Sequence, residues 1–163
     1  CRAFVCLDDS QSAREAGVAG VGSHVRLAMG GKREGSEFLP LSEDVEVLNL
    51  FDGKFLEDKI THGGITEFDQ GPTAIVRTDT GLTIMLTSRR TPPFSLRQMT
   101  AFGLEPSDFQ VIVAKGVHAP RAAYDAVCKH CLRVDTPGVT RADMTKLPYE
   151  RRRRPLFPFE ELE

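Results

Sequence analysis

Thr73-Ala74-Ile75-Val76-Arg77-Thr78-Asp79-Thr80-Gly81-Leu82-Thr83-Ile84-Met85-Leu86-Thr87 is the stretch on which the fold turns. Two β-rich runs flank Asp79-Thr80-Gly81, and those turn residues predict a hairpin. Upstream the rhythm is antiparallel. Val25-Arg26-Leu27-Ala28-Met29 alternates apolar and polar and reads as a strand closed by Gly30-Gly31. Val45, Val47, Leu48 and Leu50 predict another strand, and Asp52-Gly53 predicts a two-residue turn returning through Phe55 and Leu56. Residues 32–42 read as a polar loop. One helix precedes these strands: Asp8, Asp9 and Ser10 supply a cap, Ala13 and Ala16 follow, and Gly17, Gly20 and Gly22 end it.

Downstream the rhythm changes. Strand Leu82–Thr87 leads through Pro92-Pro93 to a helix over 96–102, capped by Ser95 and ended by Gly103. Residues 109–114 form a compact apolar strand. Pro120 suits the first position of a helix over 121–129. Residues 131–134 read as a short strand, broken by Asp135-Thr136-Pro137-Gly138. Such a β-α-β-α-β run places its strands parallel with right-handed crossovers. The expected class is α/β, with a mixed sheet: an antiparallel β-rich first half followed by a parallel β-α-β-α-β unit. Residues 1–163 are expected to form a single domain. Its basic, Pro-rich tail, 141–163, should lie extended over the domain through Leu156, Phe157 and Phe159.

Length and charge exclude several classes. A chain of 163 residues buries roughly 70% of its unfolded surface and needs no disulfide or metal staple. Lys and Arg number 21 against 23 Asp and Glu, a net charge of −2, which argues against a strongly basic nucleic-acid binder. No apolar run approaches the ~20 residues of a membrane span, and the first seven residues lack the layout of a signal peptide. Cys1, Cys6, Cys128 and Cys131 are too few and too clustered for a secreted disulfide scaffold, so a cytoplasmic protein is expected. Residue 1 is Cys rather than Met, and the expectation is a piece of a larger functional unit.

The parallel topology gathers polar residues. The first strand of the run delivers Ser88, Arg89 and Arg90; the second delivers Lys115, Gly116 and His118, with Arg121 in the next helix's first turn; the third delivers Asp135 and Thr136. Open α/β sheets bind ligands at this carboxyl edge. The helix after Lys115 would aim N–H groups and partial positive charge at the same place. Lys115, Arg89 or Arg90, and Arg121 suit a carboxylate, a phosphate or a polarised carbonyl oxygen, and His118 suits a proton donor. A blander reading stands beside this one. Arg121 pairs with Asp125 one turn on, and His118 is a solvated loop histidine.

Other motifs carry less. Cys128-Lys129-His130-Cys131 falls at a helix end rather than a helix start, against thioredoxin-like chemistry. A zinc site there would need Cys1 and Cys6, or His130, at poor spacing; two small residues at a helix–strand junction is the simpler reading. Asp135-Thr136-Pro137-Gly138 has no phosphate cradle elsewhere in the chain to match it. Gly17, Gly20 and Gly22 follow a helix, so they are no dinucleotide fingerprint, and Gly20 and Gly22 are expected to permit close packing. The basic run 151–154 lacks interleaved aromatics and reads as solvated or as paired with Glu160, Glu161 and Glu163. The histidines at 24, 62, 118 and 130 are scattered, with His62-Gly63-Gly64 only a weak loop ligand.

Three stretches carry a family resemblance. They are Glu15-Ala16-Gly17-Val18-Ala19-Gly20-Val21-Gly22 leading to Leu27-Ala28-Met29-Gly30-Gly31-Lys32, then Val113-Ala114-Lys115-Gly116-Val117-His118-Ala119-Pro120-Arg121-Ala122-Ala123-Tyr124, and Val134-Asp135-Thr136-Pro137-Gly138-Val139-Thr140 continuing to Leu147-Pro148-Tyr149 and Arg153-Arg154-Pro155-Leu156-Phe157-Pro158. In this order the chain resembles the C-terminal domain of the MlrC family, the microcystinase C or M81-type metallopeptidases. The resemblance implies a larger N-terminal domain that holds a zinc centre and most catalytic residues, with peptide-bond hydrolysis as the activity. It implies that this chain packs on that metal domain and completes the substrate cleft for a peptide or amide substrate. The family's Lys-Ser-x-x-His-Phe-Arg motif falls near Lys115, His118 and Arg121. Gly116 stands in place of Ser, Ala119-Pro120 in place of the aromatic, and the His register shifts by one. The implied roles are substrate binding for Lys115 and Arg121 and catalysis for His118, with no metal ligand in this chain; Arg89 and Arg90 join the substrate-binding set from the strand-edge reading. A homo-oligomer is allowed; nucleic acid and membrane are not expected. The alternative reading is a non-catalytic domain that binds a small anion or serves a structural or interaction role.

Overall fold

The computed structural model describes residues 1–32, 38–59, 63–116, 118–136 and 143–161. The chain forms two compact units, Cys1–His130 and Cys131–Glu163. In the first, strands β1 (Ala3–Asp8), β2 (His24–Met29), β3 (Leu41–Phe51), β6 (Thr73–Thr78), β7 (Leu82–Thr87) and β8 (Val111–Val113) build a six-stranded sheet in the order β2-β3-β6-β7-β1-β8. Strands β4 (Lys54–Leu56) and β5 (Glu67–Asp69) form a separate two-stranded sheet. Helix α1 (Ser10–Ala19) follows β1, while α2 (Arg97–Thr100) and α3 (Arg121–Tyr124) are single turns. β2, β3, β6 and β7 pair antiparallel in succession, and β1 lies parallel to both β7 and β8. The expected α/β class with a mixed sheet is what forms.

Strand pleating splits the core in two, because successive side chains point to opposite faces. On one face Leu27, Met29, Val45, Val47, Ala74, Val76, Ile84 and Leu86 pack under Ala13 and Ala16 of α1. On the other, Phe4, Ile75 and Met85 pack against Phe55 and Phe68 of the small sheet, Met99 and Phe102 from α2 and its end, and Ala123 and Tyr124 of α3. Phe55 stacks on Phe68 with centroids 4.7 Å apart, and Phe102 meets Phe55 edge-on at 5.8 Å. Aromatic geometries of this kind add roughly 0.5–1.5 kcal/mol per pair beyond area burial.

Several local expectations change. The parallel part of the sheet is completed by β1, not by residues 131–134, which form no strand. Ala3-Phe4-Val5-Cys6-Leu7 sits between two neighbours with both faces against the core, so its apolar run does not alternate. The helix expected over 121–129 is regular only over Arg121–Tyr124. Asp52-Gly53 does not fold β4 back onto β3; it carries the chain out of the large sheet into the small one. A Cβ at Gly53 would lie 1.9 Å from the Gly71 carbonyl oxygen, and its φ is +79°, so only glycine fits. Gly17 lies within α1 rather than ending it, and Gly20 and Gly22 serve positive φ, with open space where a Cβ would stand. The hairpin joining β6 and β7 forms as expected, with the Gly81 N–H donating to the Thr78 carbonyl at 3.0 Å.

The second unit contains a 3-10 turn over Met144–Lys146. Lys146 lies 3.0 Å from Asp135 and 3.4 Å from Asp143. Arg152 pairs with Glu160 and sits 4.4 Å from the Phe159 ring centroid, with Tyr149 edge-on to that ring. The Arg152 guanidinium and the Leu156 N–H hold the Glu160 carboxyl down at about 2. The paired reading of the basic run thus holds for Arg152. Residues 137–142, 162 and 163 lie outside the described residues, as do His62 and Val117. Among the described residues no helix is long and apolar enough to cross a membrane.

Candidate functional site

Because β7, β1 and β8 run the same way, their carboxyl ends share one edge, with Asp8 level with Thr87 and Val113 level with Val5. Ser88, Arg89 and Arg90 leave β7, Asp9 and Ser10 leave β1, and Lys115 and Gly116 leave β8. The edge foreseen from sequence therefore exists, but its middle strand is β1. Asp135 and Thr136 belong to the second unit, where Asp135 is engaged by Lys146.

The cations there differ in how they are held. The Arg89 guanidinium pairs with Asp69 of β5, and the Arg89 backbone N–H donates to the Gln70 carbonyl at 2.9 Å. Arg90 and Lys115 are exposed. The Arg121 Nε donates to Asp125 at 3.0 Å, the intrahelical pair named as the alternative. Exposed pairs of this kind contribute about 0–1 kcal/mol, so either arginine can exchange its partner for a ligand at little cost. His118 is exposed, and its carbonyl accepts from the Arg121 N–H at 3.1 Å. The N–H groups of Ala123 and Tyr124 go to the Pro120 carbonyl. A single turn with those donors taken supplies no helix-terminus anion site, which corrects that part of the expectation.

Gly116 packs close to Pro120. A Cβ at this position would stand 2.9 Å from Pro120 Cγ. A side chain at 116 therefore requires the Pro120 ring to shift.

Below the edge, on the α2–α3 side, Cys6 is half-buried against the α2–α3 core. Desolvation pushes its thiol up to about 12, against the opposing pull of the Lys115 ammonium and a hydrogen bond with Thr87. Burial likewise raises the Tyr124 hydroxyl, with the neighbouring Cys6 and Cys128 adding to the shift. Gln98 of α2 donates to the Gln70 amide oxygen at 3.1 Å, and Gln70 to the Thr73 hydroxyl at 3.3 Å. These buried amides tie α2 to the loops beneath Arg89.

On the α1 side, Asp9 is 6% exposed. Its carboxylate accepts from Ser12 N–H and Oγ at 3.0 Å, Gly30 N–H at 2.9 Å and Lys32 Nζ at 2.9 Å. Burial alone would raise its pKa; the donors from Ser12, Lys32 and Gly30 outweigh that and hold it below the usual carboxylate range. Sequence reading took Asp9 only as a cap. Its further role depends on Gly30 and Lys32 returning from β2, which no local signal reveals. Among the described residues no group of three or more His, Cys, Asp or Glu side chains could hold a metal, and none of the four cysteines forms a disulfide.

The family model of the MlrC C-terminus matches residues 2–151. The chain belongs to the MlrC C-terminal family. The member described here also superposes on a solved candidate metallopeptidase from Mesorhizobium sp. BNC1, with a TM-score of 0.82 and 27% identity over 99% of this chain. This MlrC C-terminal fold spans 32% of that relative's chain. No curated protein matches it.

Proposed function

We propose that this MlrC C-terminal chain is the C-terminal part of a zinc-dependent peptidase or amidohydrolase. It packs on a metal-bearing part and completes the substrate cleft with the carboxyl edge of β7, β1 and β8. The observation carrying this reading is the match, over 99% of the chain, to a candidate metallopeptidase three times as long. In this reading the metal is held outside this chain. Lys115 and Arg90 orient an anionic or carbonyl group of a peptide or amide substrate, Arg89 and Arg121 join by exchanging Asp69 and Asp125 for substrate, and His118 stands ready to donate a proton. The setting is cytoplasmic.

Lys115→Ala in the full-length protein tests the assignment. Losing one charge-assisted contact of about 1.5–3 kcal/mol lowers kcat/KM roughly 10- to 150-fold. An unchanged kcat/KM removes Lys115 from the site. Residues 1–163 alone should hydrolyse no peptide even with added zinc; hydrolysis by this chain would place the metal within it.

A further inference from the structure

Three consecutive residues hold Arg89 where it leaves β7. The Asp69 carboxylate takes its guanidinium, and the Gln70 carbonyl accepts its backbone N–H at 2.9 Å. A Cβ on Gly71, whose φ is +65°, would lie 3.2 Å from Arg89 Cγ, so the arginine stem passes over a bare glycine. The turn is itself fixed from beneath. Asp69 Oδ1 accepts from the Gly71 N–H at 2.9 Å, and the Gln70 N–H donates to the Gly53 carbonyl at 3.0 Å. The Gln70 side chain is fully buried; it donates to Thr73 Oγ1 at 3.3 Å and accepts from Gln98 Nε2 at 3.1 Å. Gln98 is 2% exposed, and the same amide nitrogen reaches Cys6 Sγ of β1 at 3.8 Å. Stability alone does not call for this pair, since two buried partners replaced together by apolar groups of the same shape leave stability nearly unchanged. What the hydrogen bonds add is direction, which apolar packing lacks.

We infer that Gln98 is a positioning residue for Arg89. Through the Gln70 amide it fixes the 69–71 turn, and the turn sets where the Arg89 guanidinium stands at the carboxyl edge. Gln98 lies on α2, the helix that follows β7 in the chain, so the placing of a cation that leaves β7 is tied to the packing of the next helix against β1. The consequence for substrate rests on the reading of that edge as part of a substrate cleft; the hold on Arg89 does not. In that reading Gln98 touches no substrate. It acts on binding rather than on the chemical step, because Arg89 orients an anionic or carbonyl group.

The experiment compares Gln98→Met, and Gln70→Met combined with Gln98→Met, with the wild type in the full-length protein. Labelling by p-hydroxyphenylglyoxal is read at Arg89 by peptide mass spectrometry, with Arg121 as the internal reference. Arg89 should label about two- to fivefold faster in both variants, the release of an exposed ion pair, while Arg121 keeps its rate. The double variant separates positioning from support: its thermal stability should return close to wild type while Arg89 stays fast. An unchanged Arg89 rate in both variants overturns the inference, and so does a rate that returns to wild type together with stability. On a linear peptide substrate, Gln98→Met should raise KM about tenfold with kcat unchanged, and should add nothing in an Arg89→Ala background. Faster Arg89 labelling without any peptide hydrolysis sinks the peptidase reading alone; hydrolysis with KM or the Arg89 rate unchanged sinks the positioning role alone. If Gln98→Met fails to fold, the double variant carries the measurement.

Discussion

Lys32 Nζ lies 2.9 Å from a carboxylate oxygen of Asp9, whose side chain is 3% exposed. This pair joins the start of α1 to the chain leaving β2, because the same carboxylate caps Ser12 and binds the Gly30 N–H. One side chain thereby holds two distant segments together over the α1 core.

Asp9→Ala removes the cap and leaves Lys32 without its carboxylate. Breaking a buried pair from one side costs about 3–5 kcal/mol, reduced here because Lys32 is partly solvated. A loss of about 2–4 kcal/mol in urea unfolding is expected. The pH dependence follows from the direction of the shift. The folded-state carboxyl titrates below its ordinary value of 3.8, so the stabilisation is complete above the unfolded value and is lost as pH falls through the folded one. Wild-type stability should therefore drop below about pH 4, and the drop should shrink in Asp9→Ala.

Cys6, with its thiol at about 12, should resist Ellman's reagent at pH 8 while exposed Cys1 and Cys131 react promptly. Adding denaturant should release the slow thiol. Lys115→Ala removes the opposing ammonium and should slow Cys6 further. Prompt reaction of Cys6 in the native chain would contradict its shielding by the α2–α3 core.

Gly116→Ser should destabilise the chain by about 1–3 kcal/mol, because its Cβ meets Pro120 Cγ at 2.9 Å. Pro120→Ala should recover most of that loss in the double variant. A cycle showing simple additivity would mean that the two residues do not constrain each other.

Gln98→Ala should cost about 1–3 kcal/mol, since it strips a donor from the buried Gln70 amide oxygen. Thermal unfolding reads the loss. Gln98→Glu should be worse, placing a charge where the site is 2% exposed.

The most legible parts of this fold were local. The β6–β7 hairpin follows from Asp79-Thr80-Gly81 between β-rich runs, and α1 begins where Asp9 and Ser10 mark a cap. β1 was missed even though Ala3-Phe4-Val5-Cys6-Leu7 is an apolar run ending at that same cap. A strand packed on both faces has no alternation to betray it. The candidate edge was half legible. Arg89, Arg90 and Lys115 do leave parallel strands, yet the strand between them comes from the far end of the chain. The pairing of Arg89 with Asp69 needs the small sheet in place, and that sheet arises where Asp52-Gly53 read as an ordinary hairpin.

The sequence by itself determined the mixed α/β class, the hairpin, the cap of α1 and the family, because each rests on neighbouring residues or on ordered motifs. Only the tertiary structure decided that β1 is inserted between β7 and β8, that Asp9 holds Lys32, and that Gly116 answers Pro120. Those outcomes depend on which distant surfaces bury together. Hydrophobic burial is non-directional, so a run of apolar residues says that a strand is buried without saying beside which neighbours.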